Sequence, residues 1–206
     1  MIELNWFNIN IMKAIKNHAI FFGVLFALAS CIKADTNKKY NQLVKVELAS
    51  GKRVDSIYLG IYFGMTSKQF YMQCWKLNKE GILTDGQSNT AVLYKLHYNE
   101  LKHAASMNFF PVFTNNKISK MNTSIQYDGW APWNKHLFAD SLFPDVVQYF
   151  SKWYSKGNAF IKMNDPEKRI VYVKVDGNRR IIIGRTDDMN VQVEYTDLLT
   201  EPPVKK

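Results

Sequence analysis

The chain has 206 residues, of which 47% are hydrophobic and 14% aromatic, and its formal net charge is +9. This composition excludes an intrinsically disordered body, and the length fits one domain or two small halves that share a core. The basic residues are scattered along the sequence, no predicted helix shows a basic stripe, and no nucleic-acid-binding motif occurs. We therefore interpret the excess charge as a solvated basic surface, with attraction to anionic lipid headgroups as the alternative.

The first predicted element is an uncharged stretch of twelve residues, 19–30. Its length matches the apolar core of a secretory signal peptide, about 7–15 residues, and is below the roughly 20 residues that span a bilayer. Lys13 and Lys16 supply the positive region that precedes such a core. We predict that residues 1–30 are a signal peptide, with translation starting at Met1 or Met12, and that the rest of the chain is exported.

The motif Leu28-Ala29-Ser30-Cys31 lies at the end of this stretch. It resembles the lipobox of bacterial lipoproteins, in which the cysteine becomes the first residue of the mature chain and carries lipid. The resemblance implies a lipid anchor on Cys31 that holds the protein at the outer membrane, on its periplasmic face or on the cell surface. The alternatives are a short membrane anchor or ordinary cleavage, for instance after Ala34. Lipidation of Cys31 leaves Cys74 without a disulfide partner, because the chain has two cysteines.

The first half of the body is predicted to contain five strands and one helix. Residues 31–42 are polar and rich in lysine, so we interpret them as a tether. Thr66 and Gln69 form a capping-box pattern, and Gly81 is expected to end the helix that they start, which predicts a helix over about 67–80. Pro111 indicates an edge position or a bulge. The predicted strands cover 43–49, 54–63, 90–97, 105–114 and 118–127, with the last two joined by a turn at Asn115-Asn116.

The second half repeats a helix followed by strands. The apolar pattern predicts a helix over 140–156, with Pro144 tolerated only in its first turn. The predicted strands after this helix cover 159–163, 170–175, 180–184 and 189–195, and residues 200–206 are a tail.

These elements predict an α+β fold in which two helices pack on one face of an antiparallel sheet. Residues 43–127 and 128–199 are the two predicted units, and their similar element order suggests a tandem duplication. The arrangement resembles the helix-on-sheet modules of small periplasmic lipoproteins and of the beta-lactamase-inhibitor-protein fold. The helix start Gly64-Met65-Thr66, followed by a Tyr-rich strand, also resembles uncharacterised lipoproteins of Bacteroidetes-type bacteria. These resemblances imply a fold class and a binding role, and no catalytic residues.

The sequence offers no recognised catalytic motif, so we predict a protein that is not an enzyme and that holds no cofactor or metal. His97, His103 and Glu100 are the one candidate set of metal ligands, and surface histidines are the favoured interpretation. Cys74 falls on the apolar side of a predicted helix, which favours a core thiol over a nucleophile.

A loop between the two halves contains Trp130, Trp133 and His136. Burial of the two indoles at the junction is the favoured interpretation, and a binding surface is the alternative. We predict a non-enzymatic binding or accessory protein of the cell envelope that contacts another envelope protein. A glycan-binding module centred on Trp130 and Trp133 is the second hypothesis, and a hydrolase is the third.

Overall fold

A computed structural model describes residues 36–86, 91–97 and 99–200. The predicted signal peptide, Cys31 and all of the predicted tail beyond Thr200 lie outside the described residues. The chain divides into two compact units, Met1–Lys39 and Tyr40–Lys206. Of the first unit only residues 36–39 are described, and the packing given below belongs to the second unit. Within the described residues, no helix combines the length and the apolar character that a bilayer-crossing segment requires.

Three α-helices and eight strands of the described residues form an α+β fold, as predicted. The helices are α1 (Thr36–Ala49), α2 (Ser67–Lys79) and α3 (Ala139–Trp153), and a short 3-10 helix (Lys135–Leu137) precedes α3. The strands are β1 (Leu83–Asp85), β2 (Val92–Leu96), β3 (Ala105–Thr114), β4 (Lys117–Tyr127), β5 (Ile161–Asn164), β6 (Ile170–Asp176), β7 (Arg179–Arg185) and β8 (Val191–Asp197). They form one open, fully antiparallel sheet in the order β1-β2-β3-β4-β8-β7-β6-β5.

The strand order is symmetric about its centre. Each half is a helix followed by four strands that pair in sequence, and the last strand of each half meets the last strand of the other. The pairing of β4 with β8 runs from Lys120 opposite Thr196 to Ile125 opposite Val191. A single sheet therefore results from two four-stranded meanders joined at one seam.

Helices α2 and α3 bury their apolar sides in one common cluster on one face of this sheet. Their buried apolar residues follow the helical spacing that the sequence shows. The buried helix residues in the cluster are Phe70, Cys74 and Leu77 from α2 and Ala139, Leu142, Val146 and Phe150 from α3. The sheet contributes, among others, Met107, Phe109, Ile125, Ile183, Val193 and Tyr195. The two halves of the sheet thus share a core.

Helix α1 replaces the strand that was predicted over 43–49, and it also takes in part of the predicted tether. Alternation of apolar residues suggested a strand, but Tyr40, Leu43 and Val44 also fit the i, i+3, i+4 spacing of a helix face. These three residues pack on a second cluster formed by Val171, Val173 and Val175 of β6. The wrong prediction arose because a short apolar run fits both periods, and the uncovered side of β6 decides between them.

The prediction of a strand over 54–63 is also wrong. The chain there folds back in a tight turn, with Ile57 N–H donating to the Ile61 carbonyl at 2.9 Å and a single bridge between Ser56 and Tyr62. Leu59 and Gly60 adopt positive φ angles of 51° and 74°, which extended backbone does not allow. This turn inserts Ile57, Tyr58 and Ile61 into the core.

Buried charges of β6 and β7 hold this turn in place. Arg179 is almost fully buried, donates from Nη1 to the Ser56 carbonyl at 2.7 Å and from Nη2 to Asp176 at 3.1 Å, and stacks over Tyr154. Asp176 also pairs with the buried Lys174 at 3.1 Å. The sequence analysis treated Arg179 as a scattered surface charge, because its acidic partner becomes visible only from the strand pairing.

Several local predictions are confirmed. Thr66 and Gln69 form the capping box of α2, with Thr66 N–H donating to Gln69 Oε1 at 2.8 Å. The hairpin turn at Asn115 and Asn116 has positive φ angles of 51° and 59°, and a register shift follows Pro111, between Val112 and Phe113. The predicted second helix is α3, which starts one residue earlier and ends three residues earlier than predicted. Pro144 is its sixth residue and therefore lies beyond the first turn, to which the prediction confined it.

A buried carboxylate ties α3 to the sheet. Asp145 accepts a hydrogen bond of 2.6 Å from the Tyr127 hydroxyl and pairs with Lys102 at 2.9 Å. Burial alone raises the pKa of the Asp145 carboxyl, but the hydrogen bonds from Tyr127 and Lys102 and the charge of Lys102 outweigh it and lower that pKa. The ionised carboxylate therefore stabilises the folded state above its unfolded-state pKa, and this contribution is lost as the pH falls through the folded-state pKa.

We expect Tyr127→Phe to lower the free energy of unfolding by about 2 kcal/mol at pH 7, because a buried charge loses a hydrogen bond. The loss is expected to be smaller at an acidic pH below the lowered pKa of Asp145, where the carboxyl is protonated and the lost bond is no longer to a charge. Urea denaturation at both pH values measures it. Tyr62→Phe, at a ring that is exposed, is the matched control and should change nothing; an equal loss at both pH values would contradict this account of Asp145.

Candidate functional site

The segment that joins the two halves, residues 128–137, is called the Trp loop here. It leaves the end of β4 with Gly129 at a φ of 74° and closes on itself through a hydrogen bond of 2.9 Å from Asn134 N–H to the Ala131 carbonyl. The 3-10 helix then leads into α3, whose first residue, Ala139, donates its N–H to the Asp188 carbonyl at 2.8 Å. Both ends of the loop are thereby fixed to the body.

The two tryptophans of the Trp loop have different environments. Trp130 is half-buried and packs its ring on Phe138, with the ring centroids 5.7 Å apart. Its indole N–H is buried and meets no acceptor among the described residues, so ring packing alone holds it. Trp133 is 86% exposed. The favoured prediction of two buried indoles thus describes Trp130, whereas Trp133 projects into solvent.

A shallow pocket of about 510 Å³ lies beside the loop. Its walls carry polar side chains from three segments of the chain, and His136 stands among them. The lining residues are His103, Ala104, Asp128, Asn134, His136 and Leu137. The structure therefore brings His136 and the carboxylate of Asp128 to one pocket, as an enzyme hypothesis requires. Whether Asp128 is free to act with the histidine depends on its other hydrogen bonds.

The Asp128 carboxylate already bonds to two other residues. It accepts a hydrogen bond of 2.5 Å from the Ser106 hydroxyl and forms an ion pair with Lys95 at 3.0 Å. Lys95 also donates to the Ser106 hydroxyl at 2.8 Å. Ser106 is buried, and its hydroxyl lies between Asp128 and Lys95. This serine therefore has the environment of a structural hydroxyl, because a nucleophile must be accessible to a substrate.

The histidines and Glu100 do not form the metal site that the sequence left open. Glu100 accepts hydrogen bonds from the Tyr149 hydroxyl at 3.0 Å and from His97 N–H at 2.9 Å. His103 packs edge-on against Tyr127, with the centroids 5.1 Å apart. Within the described residues, no group of three or more His, Cys, Asp or Glu side chains is placed to hold a metal ion.

Cys74 has the environment of a core thiol. It is a free cysteine on the buried side of α2, and burial raises the pKa of its thiol to about 11. The thiol is therefore protonated at neutral pH and is a poor nucleophile.

The Trp loop offers the exposed indole of Trp133 and an open pocket whose lining includes the neighbouring Asn134 but not Trp133 itself. An exposed indole supplies a flat apolar face for stacking, and the pocket side chains supply hydrogen bonds. Sequence reasoning found Trp133 and His136, and it considered His103 only as a metal ligand. It missed Lys95 and Ser106. Lys95 and Ser106 face each other only through the register of β2 and β3, which no local pattern in the sequence reveals.

No protein-family model, no curated protein and no solved structure matches this chain.

We expect Trp130→Ala to lower the free energy of unfolding by about 2 kcal/mol, because it removes a half-buried ring from the junction. Trp133→Ala is expected to change it by less than about 0.5 kcal/mol, as at other exposed positions. Urea denaturation of both variants measures the difference. A destabilisation by Trp133→Ala as large as that of Trp130→Ala would contradict the assignment of Trp133 to a binding surface.

Proposed function

We propose that this chain is an exported lipoprotein of the bacterial cell envelope that binds another envelope component and catalyses no reaction. The apolar stretch over 19–30 and the motif that ends in Cys31 support export and lipid attachment. The proposed location is the outer membrane, on its periplasmic face or on the cell surface.

The exposure of Trp133 is the observation that supports a binding role. The Trp133 side chain is 86% exposed, so a partner that covers it removes apolar surface from water, which favours binding. Aromatic residues also dominate the energetics of binding surfaces. Two carboxylates of this region are engaged elsewhere: Asp128 in its ion pair with Lys95, and Glu100 with tyrosine hydroxyls. This arrangement supports recognition over catalysis. The partner class that we propose first is another envelope protein.

A glycan is the second candidate ligand, and the polar pocket at the Trp loop favours it. Sugars combine a flat apolar face, which stacks on an indole, with hydroxyl groups that hydrogen-bond to side chains such as Asn134 and His136. The two tryptophans do not act as a pair in this hypothesis, because Trp130 packs on Phe138.

We also propose that the two helix-plus-sheet units arose by tandem duplication. The repeated order of one helix and four strands supports this, as does the mirrored strand order of the sheet.

The lipid anchor is tested by Cys31→Ser in native cells. We expect this variant to move from the membrane fraction to the soluble fraction and to lose labelling by a radioactive fatty acid, because a serine hydroxyl forms no thioether. Cys74→Ser is the control, since that thiol is buried, and its membrane partitioning should equal that of the wild type. A Cys31→Ser protein that still partitions with membranes, in cells where the wild type takes up no label, would refute the anchor.

The glycan hypothesis is tested by co-sedimentation with purified peptidoglycan sacculi. If the Trp loop binds this polymer, Trp133→Ala should lower the bound fraction at least fivefold while Trp153→Ala, at a partly exposed indole away from the loop, leaves it unchanged. Equal binding by both variants would exclude Trp133 from glycan binding.

A further inference from the structure

Helix α2 has a second side that the core does not use. Phe70, Cys74 and Leu77 face the core, and the residues at the i, i+4, i+7 and i+11 positions from Lys68 project in the opposite direction. We call this outward side the α2 stripe; it consists of Lys68, Met72, Trp75 and Lys79, with Tyr71 and Lys76 beside it, and all six are exposed.

The centre of the α2 stripe is apolar and open to solvent. Tyr71, Met72 and Trp75 are 62%, 61% and 62% exposed. Isolated apolar side chains are normal on a protein surface, but three large ones within five residues of a helix form a contiguous patch, which indicates a contact surface.

Positive charge surrounds this apolar centre. The sequence of α2 contains Lys68, Lys76 and Lys79 and no acidic residue. Lys79 places its amine 3.7 Å from the centroid of the Trp75 ring. No carboxylate of the described residues forms an ion pair with any of these three lysines. The sequence analysis found no basic stripe on any predicted helix, and the exposed lysines of α2 correct that interpretation. The apolar periodicity of α2 had drawn attention to its opposite side.

The composition of the stripe distinguishes between two kinds of anionic partner. Lysine is depleted from protein–protein interfaces, whereas lysine together with tryptophan is typical of helices that lie on a bilayer surface. There the apolar stems of lysine side chains rest on the lipid while their amines reach the phosphates. The stripe is also the convex side of a helix, a shape suited to a flat surface.

We propose that the α2 stripe is a docking surface for an anionic lipid bilayer. Trp75 and Met72 lie at the boundary of headgroups and acyl chains, and Lys68, Lys76 and Lys79 contact lipid phosphates. The helix is already formed before contact, because its capping box and its buried side fix it to the body, so docking has no folding cost. This contact is separate from the proposed lipid on Cys31 and from the Trp loop.

Vesicle co-sedimentation tests the electrostatic part. Recombinant full-length protein without lipid modification is mixed with vesicles of phosphatidylcholine alone or with 30% phosphatidylglycerol. Because each lysine near an anionic surface contributes about fivefold to partitioning, we expect the triple variant Lys68→Gln, Lys76→Gln, Lys79→Gln to bind the anionic vesicles on the order of a hundredfold more weakly. Residues 1–35 are identical in all variants, so their own contribution cancels.

The matched control changes three exposed lysines on other elements, Lys45→Gln, Lys152→Gln and Lys162→Gln, and alters the net charge equally. We expect the control variant to bind the anionic vesicles less than about threefold more weakly than the wild type, since those residues lie outside the stripe. Equal losses in the two triple variants would show that net charge alone drives binding and would overturn the proposal.

Tryptophan fluorescence tests the insertion. Anionic vesicles should shift the emission of the wild type to shorter wavelength, and Trp75→Phe should remove most of that shift while Trp133→Phe retains it. If soluble polyglutamate binds as tightly as the vesicles and vesicles cause no shift that depends on Trp75, the stripe binds an acidic polymer or protein and the membrane proposal fails. Because this protein carries no lipid, failure here is independent of the outcome for Cys31.

Discussion

The structure depends on the pairing of β4 with β8, which joins two four-stranded meanders into one sheet. The seam is closed by main-chain hydrogen bonds along six residue pairs, from Lys120 and Thr196 to Ile125 and Val191. Side chains at the seam that point to the helices, such as Val193 and Tyr195, are fully buried. Without the seam each half would expose a sheet edge and half of a core, and two small halves would each bury too little apolar surface to fold well.

The two surfaces for which we propose binding roles lie outside the shared core. The Trp loop crosses between the halves and leaves Trp133 in solvent, whereas α2 turns its stripe away from the sheet. The ionisable residues of the interior serve packing: Asp145 ties α3 to Tyr127, and Arg179 holds the turn that fills the core. The buried polar groups thus stabilise the fold, which is consistent with the proposal that the protein presents its outer surfaces to partners.

Sequence reasoning succeeded where the signal was local. The capping box at Thr66 and the asparagine turn after β3 each specify their conformation within a few residues, so both were predicted correctly. It failed where the conformation of a segment depends on a strand that is distant in the sequence. Residues 43–49 fit a strand or a helix face until β6 offers an uncovered side, and residues 54–63 fold back because Arg179, more than a hundred residues later, binds the Ser56 carbonyl. The candidate site divides in the same way: Trp133 was visible in the sequence, but the link from Lys95 to Ser106 needs the sheet register.

The most direct test of this account is native-state hydrogen exchange of the amides in β4 and β8. If the seam makes the two meanders one cooperative unit, the paired amides of Met121, Thr123, Val193 and Tyr195 should exchange only through global unfolding, with the same free energy on both strands. Exchange of the β5–β8 half at a distinctly lower free energy than the β1–β4 half would contradict the account, since the halves would then unfold separately and their shared core would not hold them together.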